Sequence, residues 1–171
     1  TDADGLDVGT VTTVGLTTGG NDVTLATVAQ LTLSQSLNAG AGNVTFNPTT
    51  GGVNQIGGTL TAAGLRLLGV GNVTLNQATN DIDTLAGNLT GSVSLTDADG
   101  LDVGTVTTVG LTTVGNDVTL ATGAQLTLSQ SLNAGAGNVT LNPTIGGVNQ
   151  TGGTLTAAGL RLLGVGVFTL N

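Results

Sequence analysis

Two copies of one acidic heptapeptide hold the most suggestive chemistry in this chain. Thr1-Asp2-Ala3-Asp4-Gly5-Leu6-Asp7 returns unchanged as Thr96-Asp97-Ala98-Asp99-Gly100-Leu101-Asp102. Two carboxylates at alternate positions ahead of a glycine turn can converge on a hard cation, so Asp2, Asp4, Asp7, Asp97, Asp99 and Asp102 are candidate calcium ligands. The pattern falls short of an EF-hand loop, because no third Asp precedes the glycine and the chain has no Glu to supply a bidentate ligand. A corner whose Asp side chains cap the turn explains the same residues and is the preferred reading, so no cofactor is expected.

The other reactive patterns are weaker. Asn43-Val44-Thr45, Asn72-Val73-Thr74, Asn88-Leu89-Thr90 and Asn138-Val139-Thr140 fit the N-glycosylation acceptor, but Asn at a corner more often makes turn or ladder hydrogen bonds. Thr10-Val11-Thr12 and Thr59-Leu60-Thr61 suggest an ice-binding face, which demands regular ranks of Thr that unequal coils would not give. A hydrolase or lyase needs clustered acids and bases. With no His, Lys, Glu, Cys or Tyr, the repertoire is ten Asp, and Asp81 with Asp83 is the only other close pair. No catalytic residue is assigned. The glycines are never followed by Lys-Ser or Lys-Thr, so there is no phosphate loop.

The elements that would carry these residues are unusual in composition. Phe46 and Phe168 are the only aromatics, 30 residues are glycine, and the apolar material is almost entirely Leu, Val and Ala, with many Thr between. A thick core draws on large rings, whereas this palette suits a thin pleated surface. The net charge of −8, with Arg66 and Arg161 the only cations, argues against nucleic acid and anionic lipid as partners. No run of about 18 apolar residues could span a membrane, and the first residues are not a signal peptide, so the chain is expected to be a mature or excised piece.

Residues 1 to 76 recur as residues 96 to 171 with seven differences, a period of 95. Fixed-period self-similarity points to units that bury their apolar faces by stacking on neighbours. Inside the period a signature returns at Val23-Thr24-Leu25, Val44-Thr45-Phe46, Val73-Thr74-Leu75, Val93-Ser94-Leu95, Val118-Thr119-Leu120, Val139-Thr140-Leu141 and Phe168-Thr169-Leu170, at spacings of 21, 29, 20 and 25 and then 21 and 29 again. One signature per coil gives about four coils per repeat and seven rungs. It also places Val23, Val44, Val73, Val93, Val118, Val139 and Phe168 in one interior column, with Leu25, Phe46, Leu75, Leu95, Leu120, Leu141 and Leu170 in the next.

Alternation within a coil has period two. Val23, Leu25, Ala29, Leu31, Leu33, Leu37, Ala39 and Ala41 are predicted inside; Leu65 and Leu67 are inside with Arg66 outside, and Leu101 and Val103 inside with Asp102 outside. Gly19-Gly20, Gly51-Gly52, Gly57-Gly58 and Asn80-Asp81 supply corners. The predicted fold is all-β, a parallel β-solenoid or β-helix: residues 1–95 form a first repeat of four coils, and residues 96–171 a second, incomplete one continuous with it. A pair of β-sandwich domains is the alternative, disfavoured by the missing buried aromatic and the uneven strand spacing.

Gly57-Gly58-Thr59-Leu60-Thr61-Ala62-Ala63-Gly64-Leu65-Arg66-Leu67, and its copy at 152 to 162, resembles the repeats of filamentous-haemagglutinin-like exoproteins. That resemblance implies a right-handed parallel β-helix, secreted by a two-partner or related type V route, serving as the shaft of a large bacterial surface adhesin. It implies an extracellular or cell-surface location, no catalytic residues, and host surface or glycan contacts made by parts outside this chain. The expected function is therefore structural and non-enzymatic: a shaft or fibre propagating end to end through copies of itself or adjoining repeats. A surface-binding module for glycan, host protein or ice is the second reading.

Overall fold

The computed structural model describes residues 2–10, 12 and 14–171. Strands of two to twelve residues, with no helix among the described residues, wind into a parallel β-solenoid of about eight turns. Eight strands form one sheet: Leu6–Val8, Leu31–Leu33, Val53–Gln55, Val73–Leu75, Val93–Asp97, Val118–Thr122, Asn138–Pro143 and Gly159–Leu162. Each coil crosses this smaller sheet once and a larger twelve-stranded sheet twice, so every coil has three faces around one thin core.

One interior column of the smaller sheet runs Leu6, Leu31, Val53, Val73, Val93, Val118, Val139, Leu160, in strict parallel register. The coils it marks are 25, 22, 20, 20, 25, 21 and 21 residues long. Leu31, Leu33, Leu65, Leu67, Leu75, Leu120 and Leu141 have at most 1% of their surface exposed. Leu and Val suit these positions because a ladder repeating at about 4.8 Å gives each rung room for a branched aliphatic, and in the larger sheet the fully buried Phe46 takes such a place between Leu25 and Leu67.

The single column expected through all seven signatures is replaced by two. Val23 and Val44 lie in the larger sheet, where Val44 stacks on Leu65, while Val73 belongs to the smaller sheet and stacks on Val53. Phe168 stacks on Val148 in the larger sheet. The spacing of 29 from Val44 to Val73 is thus one coil plus one further face. The 95-residue repeat consequently makes four coils and one face. Leu31, Val53 and Val73 of the first copy lie in the smaller sheet, but their equivalents Leu126, Val148 and Phe168 lie in the larger; Val118, Val139 and Leu160 have moved the other way. About four coils per repeat is correct, and the remainder turns the second copy by one face.

Parity also breaks within a coil. Ala39 is buried as expected, but Ala41 is exposed, because the ladder slips at Gly40 and again before Asn43. Gly40, at φ +56°, takes a conformation open to glycine, and inward residues change from odd numbers (Leu37, Ala39) to even ones (Val44, Phe46). Asp81 and Asp83 stand exposed on the strand Asp81–Thr90 and not at a corner.

The two 25-residue coils each contain an excursion. Residues 104–110 leave the wall as an antiparallel hairpin, Thr105–Val106 against Thr108–Val109, closed where Gly110 N–H donates to Gly104 O at 2.8 Å. The first copy repeats that closure, Gly15 N–H to Gly9 O at 3.1 Å, with Thr10 bridged antiparallel to Val14.

Candidate functional site

The acidic heptapeptides turn the corner after a wall strand. In the second copy Asp97 ends the strand Val93–Asp97 and points inward, with 2% of its surface exposed. Its Oδ1 accepts from Ile82 N–H of the preceding coil at 2.9 Å and its Oδ2 from Asp99 N–H at 3.2 Å. Thr122 and Pro143 stack in register on Asp97, and Thr122 Oγ1 donates to Ala124 O. The corner is therefore a short polar column inside an apolar wall.

Below it lies Asn80, fully buried. Asn80 Nδ2 donates to Gln55 Oε1 and to the carbonyls of Leu75 and Thr96, while its Oδ1 accepts from Gln55 Nε2 and Leu60 N–H. Every buried side-chain N or O among the described residues has a hydrogen-bond partner, as a polar plug in a dry wall requires. The corner expected at Asn80-Asp81 is formed just ahead of the strand Asp81–Thr90, and Asn80 faces inward, where it pairs with the backbone of Leu60, Leu75 and Thr96.

The Asp97 carboxyl is strongly perturbed. Burial pushes it up from 3.8 to about 7, the N–H groups of Asp99 and Ile82 pull it down, and the neighbouring Asp99 carboxyl adds to the rise. A groove of about 260 Å³ lies over this corner, lined by Ala78, Thr96, Asp97, Asn142 and Thr144 among others, with Gly123 on its wall. The first copy carries Val28 where Gly123 stands.

Four of the six predicted calcium ligands, Asp2, Asp7, Asp97 and Asp102, accept from protein donors, while Asp4 and Asp99 contribute their backbone N–H groups to Asp2 and Asp97. Asp2 Oδ1 accepts from Asp4 N–H at 2.8 Å. Asp7 accepts from Ser34 N–H and Oγ, and Asp102 likewise from Ser129 N–H and Oγ, each across one coil. Among the described residues no three carboxylates, histidines or cysteines come together to hold a metal. Thr1 and Val11 lie outside the described residues. The acceptor asparagines Asn43 and Asn138 donate to Asp22 and Asp117, and Asn72 accepts from Ser92 N–H, which is ladder chemistry.

The outward rank of the smaller sheet reads Asp7, Thr32, Asn54, Thr74, Ser94, Thr119, Thr140, Arg161. It is hydroxyl- and amide-rich but mixed, and not a uniform Thr rank. Among the described residues no helix is long and apolar enough to cross a membrane. Compared with protein-family models, with curated proteins and with solved structures, the chain matches none.

Proposed function

We propose that this chain is a segment of a structural shaft, an extracellular adhesin stalk or fibre of a bacterial surface, non-catalytic and extended by stacking further coils. One observation carries the reading. The interior column of the smaller sheet runs from one copy into the next without a break, Val73 on Val93 on Val118 in one parallel register, so the ladder that joins the two copies can take a further one. An apolar rung with free backbone N–H and C=O groups is a template for another strand.

The string resembling filamentous-haemagglutinin-like exoproteins supports the same reading. In it Gly58 makes the corner at φ +66° and Leu60, Ala62, Leu65 and Leu67 line the core, so the shared residues are those that build a coil. Immunogold labelling of intact native cells tests location and role together. Label along filaments projecting from the surface is the expected result, and label confined to the cell interior refutes it. A glycan array probed with the chain tests the binding-module reading, for which saturable binding to one glycan class is required.

A further inference from the structure

The hairpin of the second copy folds back over the outside of the first. Val106, 6% exposed, sits over Gly64 so closely that a Cβ there would lie 2.9 Å from both of its methyl groups. Ala86, on the coil between, is fully buried beneath the hairpin. Arg66 Nε donates to Thr108 Oγ1 at 2.7 Å. Asn43, Gly64 and Arg66 thus form a seat, and the lack of a side chain at Gly64 is what admits Val106.

The same three residues recur as Asn138, Gly159 and Arg161. There they border a groove of about 280 Å³ between the strands Asn138–Pro143 and Gly159–Leu162. A Cβ on Gly159 would meet only Asn138 within 4 Å, and Arg161 is exposed. We propose that this groove is a docking site for the Gly-Thr-Val-Thr-Thr-Val-Gly hairpin of a further copy of the repeat, which Arg161 clasps through a hairpin hydroxyl. The occupant follows from continuity with the seated pair: residues 104–110 are identical to residues 9–15, and a coil like Asp81–Thr90 brings the hairpin to the right height. The clasp holds each repeat to the one before from outside, independently of the strand ladder. This rests on the shaft reading and adds a lateral contact to it.

Arginine reactivity tests the clasp directly, because phenylglyoxal modifies the guanidinium and not the strand. In the chain as it stands, mass spectrometry should find Arg161 modified roughly tenfold or more faster than Arg66, in keeping with the protection that tertiary contacts give. In a protein lengthened by repeating residues 77–171 after Asn171, Arg161 should slow to the rate of Arg66. Changing the added hairpin's counterpart of Val106 to Asp, or of Thr108 to Val, should return Arg161 to its fast rate. Slow modification of Arg161 regardless of those changes overturns the hairpin seat. So does fast modification in a protein whose rod has grown by about 21 Å, the rise of four coils and a face. A protein that does not lengthen overturns the shaft reading itself.

Discussion

Leu75 has no exposed surface and pairs with Leu95, whereas Thr74, one residue away, faces outward between Asn54 and Ser94. Leu75→Asp places an unpaired carboxylate in the core and should cost on the order of 3–5 kcal/mol or prevent folding. Thr74→Asp should stay within about 1 kcal/mol, and thermal melts of the two variants compare them. Asp97 gives a pH dependence. Its folded carboxyl titrates near 7 against 3.8 as the ordinary value, so between these the folded state binds more protons than the unfolded. The stability it confers is full below about pH 4 and is lost as pH rises to about 7. Asp97→Asn should flatten that slope in melts taken across the range; an unchanged slope contradicts the burial argument. The inward Leu75 and outward Thr74 were legible in the alternation, but the burial of Asp97 was not, because Asp2 and Asp97 sit in identical heptapeptides. They differ in what lies beneath, and only Asp97 has Ile82 N–H below it.

Corners are where the two copies diverge most. Val114 replaces Gly19 and holds φ at +50°, a region that a β-branched residue enters at a cost of about 1–2 kcal/mol. Val114→Gly should therefore raise stability by about 1 kcal/mol. Gly69 is the opposite case: at φ +86° its Cβ would lie 1.9 Å from Pro48 O. Gly69→Ala should cost at least about 2 kcal/mol, and urea titrations measure both. Glycine pairs announced most corners correctly, since few other residues reach positive φ. The slip at Gly40 was not announced. Counting odd and even positions assumes an unbroken pleat, and a glycine inside a strand looks the same in sequence whether or not the ladder bulges there.

At the scale of the molecule, period-two alternation and the 95-residue repeat were enough to give the parallel solenoid, because few other folds bury short Leu/Val strands with so little aromatic help, here Phe46 alone fully buried. Coil length was not readable from the Val-Thr-Leu signature. The same tripeptide serves Val44 on one sheet and Val73 on the other, so its spacing mixes whole coils with single faces. The capped carboxylates of Asp2, Asp7, Asp97 and Asp102 lead to one prediction here: a chelator should leave the melting temperature unchanged, since no calcium-linked stability is lost. A fall of many degrees that calcium restores would return the heptapeptides to metal binding. A rod that grows by stacking coils can be seen in diffraction from oriented specimens of the concentrated protein. Such a rod should give an axial reflection near 4.8 Å from fibres about 20–30 Å wide per solenoid. Discrete compact particles that give no 4.8 Å axial spacing at any concentration would contradict it.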